Sequence, residues 1–410
     1  MILICSKLIT CIPQIPLIEN GAIAINKGTI LAVSKEDNIK KRFSSHRVIR
    51  IENAVLMPGL VNLHSHIELP PLLEHVRGKS FPDWIINLIR AKHDLSNNNY
   101  RSAARINIIT LIQAGTTTVG EICTHGVSPA LLIKSGLRAV VYNEIISMNP
   151  DQNKLPLRSL PRPSSLLQYG LSPHSPYTVS EPALRSIRGL MQRKDIRIAM
   201  HIAESKDETG LLRGKKNGLE KLYQLAGWDL GWAPRGSSSI NYLQRIGLLS
   251  PNLLAVHTVQ VTGKDIELIR KSKVSVAHCP RSNKETGVGK MPLKKFLEAG
   301  VTVGLGTDSL ASSPSLNMWD EMRYAHWIHR REGVSAEDIF KIAIIGGAKA
   351  LGLNKVIGTL EPGKRADIIA VPLPAKNTGD IYSDLLRETK SCIMSVVDGK
   401  ILFQDSRKAI

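Results

Sequence analysis

The sequence predicts a parallel α/β fold, most economically an eight-stranded (β/α)8 TIM-type barrel, in a chain of 410 residues. Short apolar strands alternate with helical stretches through the middle of the chain. Several of these strands end in a histidine or an aspartate, and barrel enzymes carry their catalytic side chains at such strand ends. Both termini are instead rich in short strands. The chain is long enough to bury one large core and a smaller partner.

The two ends of the chain have the same character. Residues 21–25 and 29–33 are apolar, strand-sized and flanked by Asn-Gly and Lys-Gly turn signals. Near the C-terminus, residues 366–371 and 393–397 are similar, and Asp398-Gly399 before a further apolar stretch is a hairpin signal. The first ~55 and the last ~50 residues are therefore predicted to be β-rich.

Between the termini, strands and helices are expected to alternate. The candidate strands are short apolar runs at residues 116–119, 139–142, 196–200, 253–256, 274–277 and 301–305. The candidate helices are longer and lie at residues 102–114, 181–194, 263–271 and 336–351. Repeated βα units of this kind bring the C-terminal ends of parallel strands to one face of the fold.

The apolar strand that precedes these units, residues 55–63, ends at His64-Ser65-His66. Alternate side chains of a strand point to the same face, so His64 and His66 can bind one metal ion together. Alone, such a pair is weak evidence, because motif matches carry a false-positive risk. Later strands end in further candidate ligands, which are His201, His257, His278 and Asp308. Three imidazoles and one carboxylate are a donor set that zinc or ferrous iron accepts while leaving a position for water.

Composition limits the other classes of function. The net charge of +19 suggests a nucleic-acid partner, but the basic residues are spread along the chain and only 4% of residues are aromatic, so we predict no specific nucleic-acid binding. No apolar run approaches the roughly 18 residues that cross a bilayer, which predicts no membrane span. The five cysteines form no Cys-x-x-Cys pair, so free thiols in the cytoplasm are expected.

Seven motifs, taken together, resemble those of a known family. The first reads Met-Pro-Gly-Leu-Val-Asn-Leu-His-Ser-His, and the set lies at residues 57–66, 114–118, 171–178, 201–204, 277–283, 306–309 and 357–367. In this order, and over essentially the whole chain, the sequence resembles the amidohydrolase superfamily. More narrowly it resembles the deaminase/chlorohydrolase branch, which includes methylthioadenosine/S-adenosylhomocysteine deaminases and aminodeoxyfutalosine deaminases.

The resemblance implies a (β/α)8 barrel with a small β-sandwich domain formed by both chain termini. The implied limits are residues 1–56 and 357–410 for the sandwich and 57–356 for the barrel. It also implies one divalent metal ion, Zn2+ or alternatively Fe2+, whose ligands would be His64, His66, His201 and Asp308. No lysine stands out as a carbamylated bridge between two metals, which favours a single ion.

The resemblance also implies an activity and roles for its residues. The implied enzyme is a metal-dependent hydrolytic deaminase that releases ammonia from an amino-substituted heterocycle, foremost an adenosine-like nucleoside. Asp308 would accept a proton from water, Glu204 would contact the substrate and protonate its ring nitrogen, and His257 would orient the water. His174 matches a position that contacts the heterocycle, and His278 is assigned to orienting the ligands. The alternative is a hydrolase of the same fold acting on another non-peptide C–N bond or a C–Cl bond, such as that of a triazine, guanine or cytosine-type substrate.

Two substrate-binding positions depart from the family pattern. Adenosine-type members carry a glutamate downstream of an Asp-Trp pair, where this chain aligns His93. They also carry an arginine after a Gly-x-Arg-Ala stretch, where this chain has Asn143 with Glu144 beside it. His93 and Asn143 are therefore the candidate substrate contacts. The substrate, a small molecule of the methylthioadenosine, S-adenosylhomocysteine or aminodeoxyfutalosine type, stays open, as does assembly into a homo-oligomer.

Overall fold

Two eight-stranded sheets organise the computed structural model of the protein, which describes residues 1–148, 155, 157–229, 231 and 238–405. One sheet is a parallel barrel formed by the middle of the chain. The other is a mixed sheet that combines strands from both termini. The predicted fold class is therefore confirmed.

The barrel strands follow one another in chain order, and each is parallel to its neighbours. Their bounds are β6 Leu60–Ser65, β7 Thr116–Cys123, β8 Arg138–Ile145, β9 Leu167–Pro173, β10 Ile198–Ile202, β11 Leu253–His257, β12 Ser275–His278 and β13 Val303–Leu305. The Asp308 N–H donates to the His64 carbonyl oxygen at 3.0 Å and so joins the last strand to the first. This closure places two candidate metal ligands side by side.

The terminal sheet has the strand order β16-β15-β14-β5-β1-β3-β4, with β2 beside β1. Its bounds are β1 Ile2–Ile9, β2 Leu17–Glu19, β3 Gly21–Asn26, β4 Thr29–Lys35, β5 Val48–Pro58, β14 Ile368–Pro372, β15 Met394–Val397 and β16 Lys400–Gln404. Strand β5 is the link between the termini, because it pairs with β1 on one side and β14 on the other. Strand β5 is followed directly by β6 and then by the His-x-His pair.

Helices connect the barrel strands and cover their outer face. The α-helices are α1 Glu36–Arg42, α2 Leu73–Val76, α3 Phe81–His93, α4 Asn97–Gln113, α5 Ser128–Ser135, α6 Glu181–Lys194, α7 Lys206–Leu212, α8 Leu219–Ala226, α9 Ser239–Ile246, α10 Gly263–Lys271, α11 Pro280–Glu285, α12 Leu293–Glu298, α13 Met318–His329, α14 Ala336–Lys341, α15 Gly347–Ala350 and α16 Ile381–Glu388. A 3-10 turn spans Arg330–Glu332, and a π-helical segment, Ile342–Gly346, separates α14 from α15. None of the helices in the described part of the chain has the length and apolar character needed to cross a bilayer.

Strand β9 is the barrel strand that the sequence pattern did not predict. It contains Gly170 and ends at Pro173, and both residues are turn signals in an isolated sequence. In the barrel, a Cβ at Gly170 would lie 2.6 Å from both the Tyr142 ring and the Arg197 carbonyl oxygen. Glycine is therefore present because neighbouring atoms approach the backbone closely, which is a recognised use of glycine in strands.

A buried ion pair joins the barrel to the terminal sheet. The Arg138 guanidinium, on β8, donates to both carboxylate oxygens of Asp367 at 2.7 and 2.9 Å. Their side chains are only 4% and 2% exposed. The Asp398 backbone N–H also donates to Asp367, at 2.9 Å. The pair therefore holds the two sheets in a fixed relation.

We expect Arg138→Met to lower the free energy of unfolding by roughly 3–5 kcal/mol, because the change leaves the Asp367 carboxylate buried without its countercharge. Denaturant titration followed by circular dichroism measures this loss. Arg270→Met is the matched control, since Arg270 pairs with Glu267 on the exposed face of α10. Equal midpoints for the two variants would contradict the role assigned to the buried pair.

Candidate metal centre and active site

Nitrogen and carboxylate donors from four predicted ligands converge at the C-terminal end of the barrel. The Nε2 atoms of His64 and His201 lie 3.2 Å apart, and Asp308 Oδ1 lies 3.6 Å from His64 Nε2 and 3.7 Å from His66 Nε2. His64, His66 and His201 form one set whose donor atoms all lie within 4.8 Å of one another. His64, His257 and Asp308 form an overlapping second set.

A hydrogen bond on the far side of the His201 ring leaves its Nε2 atom facing this cluster. The Nδ1 atom of His201 lies 2.8 Å from the His174 carbonyl oxygen, so Nδ1 carries the proton and Nε2 presents a lone pair. Burial lowers the pKa of His64 to about 4 and that of His66 to about 3. The imidazoles of His64 and His66 are therefore held in the neutral form that binds metals.

Asp308 is held as a charged carboxylate by two hydroxyls. Ser282 Oγ and Ser312 Oγ donate to its Oδ2 atom at 2.6 and 2.9 Å. Burial alone would raise the pKa of Asp308, but its interactions with His64 and the other histidines outweigh burial and place the pKa well below its usual range. Its backbone adopts φ 59°, a left-handed conformation that aspartate and asparagine tolerate better than most residues.

His257 is oriented by Asn283, a residue on helix α11. Asn283 Oδ1 accepts a hydrogen bond from His257 Nδ1 at 2.8 Å, which leaves Nε2 without a hydrogen-bonding partner in the described structure. That bare nitrogen lies 3.5 Å from Glu204 Oε1 and 3.9 Å from Asp308 Oδ2. Positive φ of 71° at His257 helps to aim the ring, and such strain clusters at functional sites.

Glu204 follows β10 and is buried beside the cluster. Burial raises its pKa well above the usual value, and the negative charges of Asp308 and Glu208 raise it further. Glu208 also fixes the turn, because its carboxylate accepts the backbone N–H groups of Ala203 and Glu204 at 2.7 and 2.9 Å. A carboxyl group with a raised pKa can take and give a proton near neutral pH.

A pocket opens from these groups to the surface. Its inner end is lined by His66, His174, His201, Glu204, His257 and Asp308, and its walls are mainly apolar. Phe81, Trp84, Leu88 and Tyr177 belong to those walls, and the Trp84 indole N–H is fixed by the Ala311 carbonyl oxygen at 3.1 Å. A mostly apolar pocket with a few convergent polar groups suits a flat heterocycle.

The donor set fits a divalent metal. His64 and His201 direct nitrogens at each other across 3.2 Å, and Asp308 adds one negative charge among neutral imidazoles. Two buried nitrogen atoms whose lone pairs point at each other are costly unless a proton or a cation lies between them. Three nitrogens and one carboxylate oxygen are ligands of Zn2+ or Fe2+ rather than of Ca2+ or Mg2+.

Of the four predicted substrate contacts, His174 and Glu204 line the pocket and the other two lie outside it. His174 lines the pocket, and its Nδ1 lies 2.9 Å from Thr178 Oγ1. His93 does not: its side chain is 88% exposed and contacts Asp94. Asn143 is buried but faces away, where its Nδ2 donates to the Arg158 carbonyl oxygen at 3.0 Å. The geometry therefore does not support His93 or Asn143 as substrate contacts.

The residues that do reach the pocket are the immediate chain neighbours of those two. Lys92 precedes His93 on α3, and Glu144 follows Asn143 on β8; both line the pocket. Successive side chains of a strand point to opposite faces, so an alignment error of one residue exchanges a pocket residue for an outward one. Among the residues singled out from the sequence, Glu144 has no predicted role and Lys92 is absent.

The prediction that His278 orients the ligands is not supported by the contacts of its ring. Its Nε2 lies 3.2 Å from His329 Nε2, and His329 in turn bonds Glu332. Among the ligands, His201 is oriented by the His174 carbonyl oxygen and Asp308 by the two serines. These partners lie in loops and short helices, where hydrophobic periodicity gives no signal.

Glu208, whose carboxylate fixes the turn at Glu204, could have been identified from the sequence, because Ser205-x-x-Glu208 is a helix-start pattern.

An eight-stranded barrel with three histidines and one aspartate converging at its strand ends defines the class of metal-binding barrel hydrolases. The amidohydrolase family model matches residues 55–402. The chain belongs to the amidohydrolase family.

Curated relatives of similar length are deaminases. The chain is 28% identical over 406 residues to a 5-methylthioadenosine/S-adenosylhomocysteine deaminase of Moorella thermoacetica, with 94% of this chain and 90% of the relative covered. It is 28% identical over 411 residues to a 5'-deoxyadenosine deaminase of Methanosarcina acetivorans, covering 95% and 89%. A zinc-bound adenosine deaminase structure from Xanthomonas campestris superimposes with a TM-score of 0.83 at 25% identity, covering 98% of this chain and 92% of that one.

Proposed function

We propose that the protein is a metal-dependent hydrolytic deaminase of an amino-substituted heterocycle, foremost an adenosine-like nucleoside of the methylthioadenosine, S-adenosylhomocysteine or aminodeoxyfutalosine type. The observation that carries the proposal is the Glu204 carboxyl group, buried at the inner end of an apolar pocket beside His257 and Asp308. A group that gives a proton to the ring nitrogen and takes one back as ammonia leaves is what the deamination of a ring requires. Relatives that deaminate nucleosides support the same activity.

His64, His66, His201 and Asp308 are the residues that would hold the metal, and zinc is the proposed ion because a zinc-bound relative has the same fold. When bound, the metal supplies the Lewis acidity that makes water a nucleophile near neutral pH. We also propose a cytoplasmic location, supported by five free cysteines, and domain limits at residues 1–56, 57–356 and 357–410.

The chain's own groups account for the proton transfers. Asp308 accepts a proton from the attacking water, and His257 orients that water through its bare Nε2 atom. Glu204 gives its proton to the ring nitrogen while a C–O bond forms at the amino-bearing carbon. The amino group receives the proton from Asp308 and leaves as ammonia as the C–N bond breaks, while the hydroxyl proton of the adduct passes to Glu204 and the ring carbon becomes a carbonyl carbon. His174, beside His201 at the pocket wall, contacts the heterocycle.

The test is ammonia release by the zinc-loaded protein from a panel of adenosine, methylthioadenosine, S-adenosylhomocysteine, aminodeoxyfutalosine, guanine, cytosine and aminotriazines. We expect turnover of at least one adenosine-like nucleoside with stoichiometric ammonia. Turnover of a chlorinated triazine with chloride release, and of no aminated ring, would replace this proposal by the hydrolysis of a C–Cl bond.

A further inference from the structure

One fully buried carboxyl group near the active site has no part in the proposed reaction. Glu321 lies on α13, and its side chain has no exposure to solvent. Its Oε1 atom accepts the backbone N–H of Arg281 at 2.9 Å, while its Oε2 atom has no hydrogen-bonding partner in the described structure. Burying a carboxyl group costs free energy, so the group that it holds indicates its use.

The hydrogen bond from Arg281 to Glu321 fixes the start of α11. Arg281 is the second residue of this helix and follows Pro280, which has no N–H group. The first N–H groups of a helix have no partner within the helix, and Cys279 at the N-cap accepts no side-chain bond in the part of the chain described. Glu321 therefore supplies the cap from another helix. The Arg281 side chain is held in the same region, because its Nη1 atom donates to Ser315 Oγ at 2.8 Å.

Helix α11 holds two side chains of the proposed reaction at once. Ser282 Oγ donates to Asp308 Oδ2 at 2.6 Å, and Asn283 Oδ1 accepts from His257 Nδ1 at 2.8 Å. Ser282 and Asn283 directly follow Arg281 in the chain, so a shift of the helix start moves both of them. Misplacing catalytic groups by about 1 Å can lower a rate roughly 100-fold.

We propose that Glu321 is a positioning residue for the reaction, because it caps α11 and thereby fixes the two side chains that orient Asp308 and His257. The inference rests on the proposed deaminase function and adds a residue that acts on it from outside the pocket. Among the described residues that line the pocket, none is Glu321 and none belongs to α11. Loss of Glu321 should therefore lower kcat and leave KM nearly unchanged.

The experiment compares three substitutions of Glu321 by kcat and KM for ammonia release from the best nucleoside of the panel. Glu321→Met removes the acceptor for the Arg281 N–H, and we expect kcat to fall by roughly 10- to 100-fold with KM within about 2-fold of the wild type. Glu321→Gln keeps an acceptor oxygen at the same reach. Burial raises the pKa of Glu321 to about 8, so the neutral amide resembles the form of the carboxyl group at neutral pH.

The conservative variants separate position from charge. Glu321→Gln should keep kcat within about 3-fold of the wild type, because the hydrogen bond to the helix start is preserved. Glu321→Asp keeps the carboxyl group but withdraws it from Arg281 by one methylene group, so its kcat should lie below that of Glu321→Gln. Glu321→Asp also carries the test if Glu321→Met does not fold.

Two further proteins separate positioning from general loosening. In a Ser282→Ala/Asn283→Ala background, Glu321→Met should lower kcat by no more than about 2-fold, because the side chains through which it acts are already absent. Asp384→Leu is the matched control: Asp384 is a buried carboxylate on α16 that accepts the Thr378 backbone N–H at 2.9 Å. This variant should lose stability and keep the wild-type kcat.

Different failures identify different errors. No ammonia from any nucleoside, already with the wild-type protein, would overturn the proposed function and this inference with it. Deamination by the wild type with an unchanged kcat in Glu321→Met, or with the full loss repeated in the Ser282→Ala/Asn283→Ala background, would overturn the role of Glu321 alone. An equal kcat loss in Asp384→Leu would do the same. A larger loss in Glu321→Gln than in Glu321→Asp would show that Glu321 acts through its charge and would also overturn the proposal.

Discussion

Glu204→Gln is expected to keep its metal and to lose turnover by a factor of roughly 10²–10⁴. The amide has nearly the shape of the carboxyl group, but it cannot give a proton to the ring nitrogen or take one from the hydroxyl group as ammonia departs. Glu204 belongs to neither of the two sets of metal-type donors, although its Oε1 lies 3.5 Å from His257 Nε2. Loss of proton transfer without loss of metal is therefore the signature of its role.

The measurement combines metal analysis of the purified variant with steady-state ammonia release on the best nucleoside of the panel. Glu52→Gln serves as the control for removing one carboxylate, because Glu52 is exposed on β5. A Glu204→Gln protein that lost its metal would show that Glu204 is a ligand. One that turned over at the wild-type rate would show that another group moves the proton.

The barrel could be predicted because its strands are buried on both faces and therefore read as continuous apolar runs. The metal-type residues could be predicted for a related reason: His201 and His257 are the first polar side chains after such runs, and Asp308 lies shortly beyond the end of another. Strand β9 could not, since Gly170 is there to admit the Tyr142 ring. Tertiary packing determines that position, and local propensity does not report it.

The substrate pocket was harder to predict because side-chain direction reverses at each residue of a strand. Asn143 and Glu144 are adjacent in sequence, yet one faces the barrel exterior and the other faces the pocket. Lys92 and His93 differ in the same way through the phase of helix α3. Whether a segment forms a strand or a helix was predictable here. Which of its residues face the pocket depends on the exact residue at which the element begins, and loops of uncertain length do not preserve that position.

Asp308→Asn should lose both metal occupancy and turnover, and it is a sharper test than alanine. Asparagine tolerates the left-handed backbone at this position, where φ is 59°, so strain does not account for the effect. Its side-chain oxygen can still accept from Ser282 and Ser312, and the main-chain bond from Asp308 to His64 that closes the barrel is unchanged. What is removed is the negative charge.

Thermal unfolding with and without zinc measures the consequence. A ligand present at 100 times its dissociation constant stabilises the native state by about 2.7 kcal/mol, and chelation should remove that gain from the wild-type protein. Groups that only support ligands typically change metal affinity by roughly 10- to 100-fold, so loss of a direct ligand should cost at least as much. Zinc at the concentration that stabilises the wild type should therefore leave the melting temperature of Asp308→Asn nearly unchanged. An equal zinc-dependent rise in both proteins, with equal zinc content, would exclude Asp308 from the metal centre, because the variant replaces one carboxylate oxygen by an uncharged NH2 group.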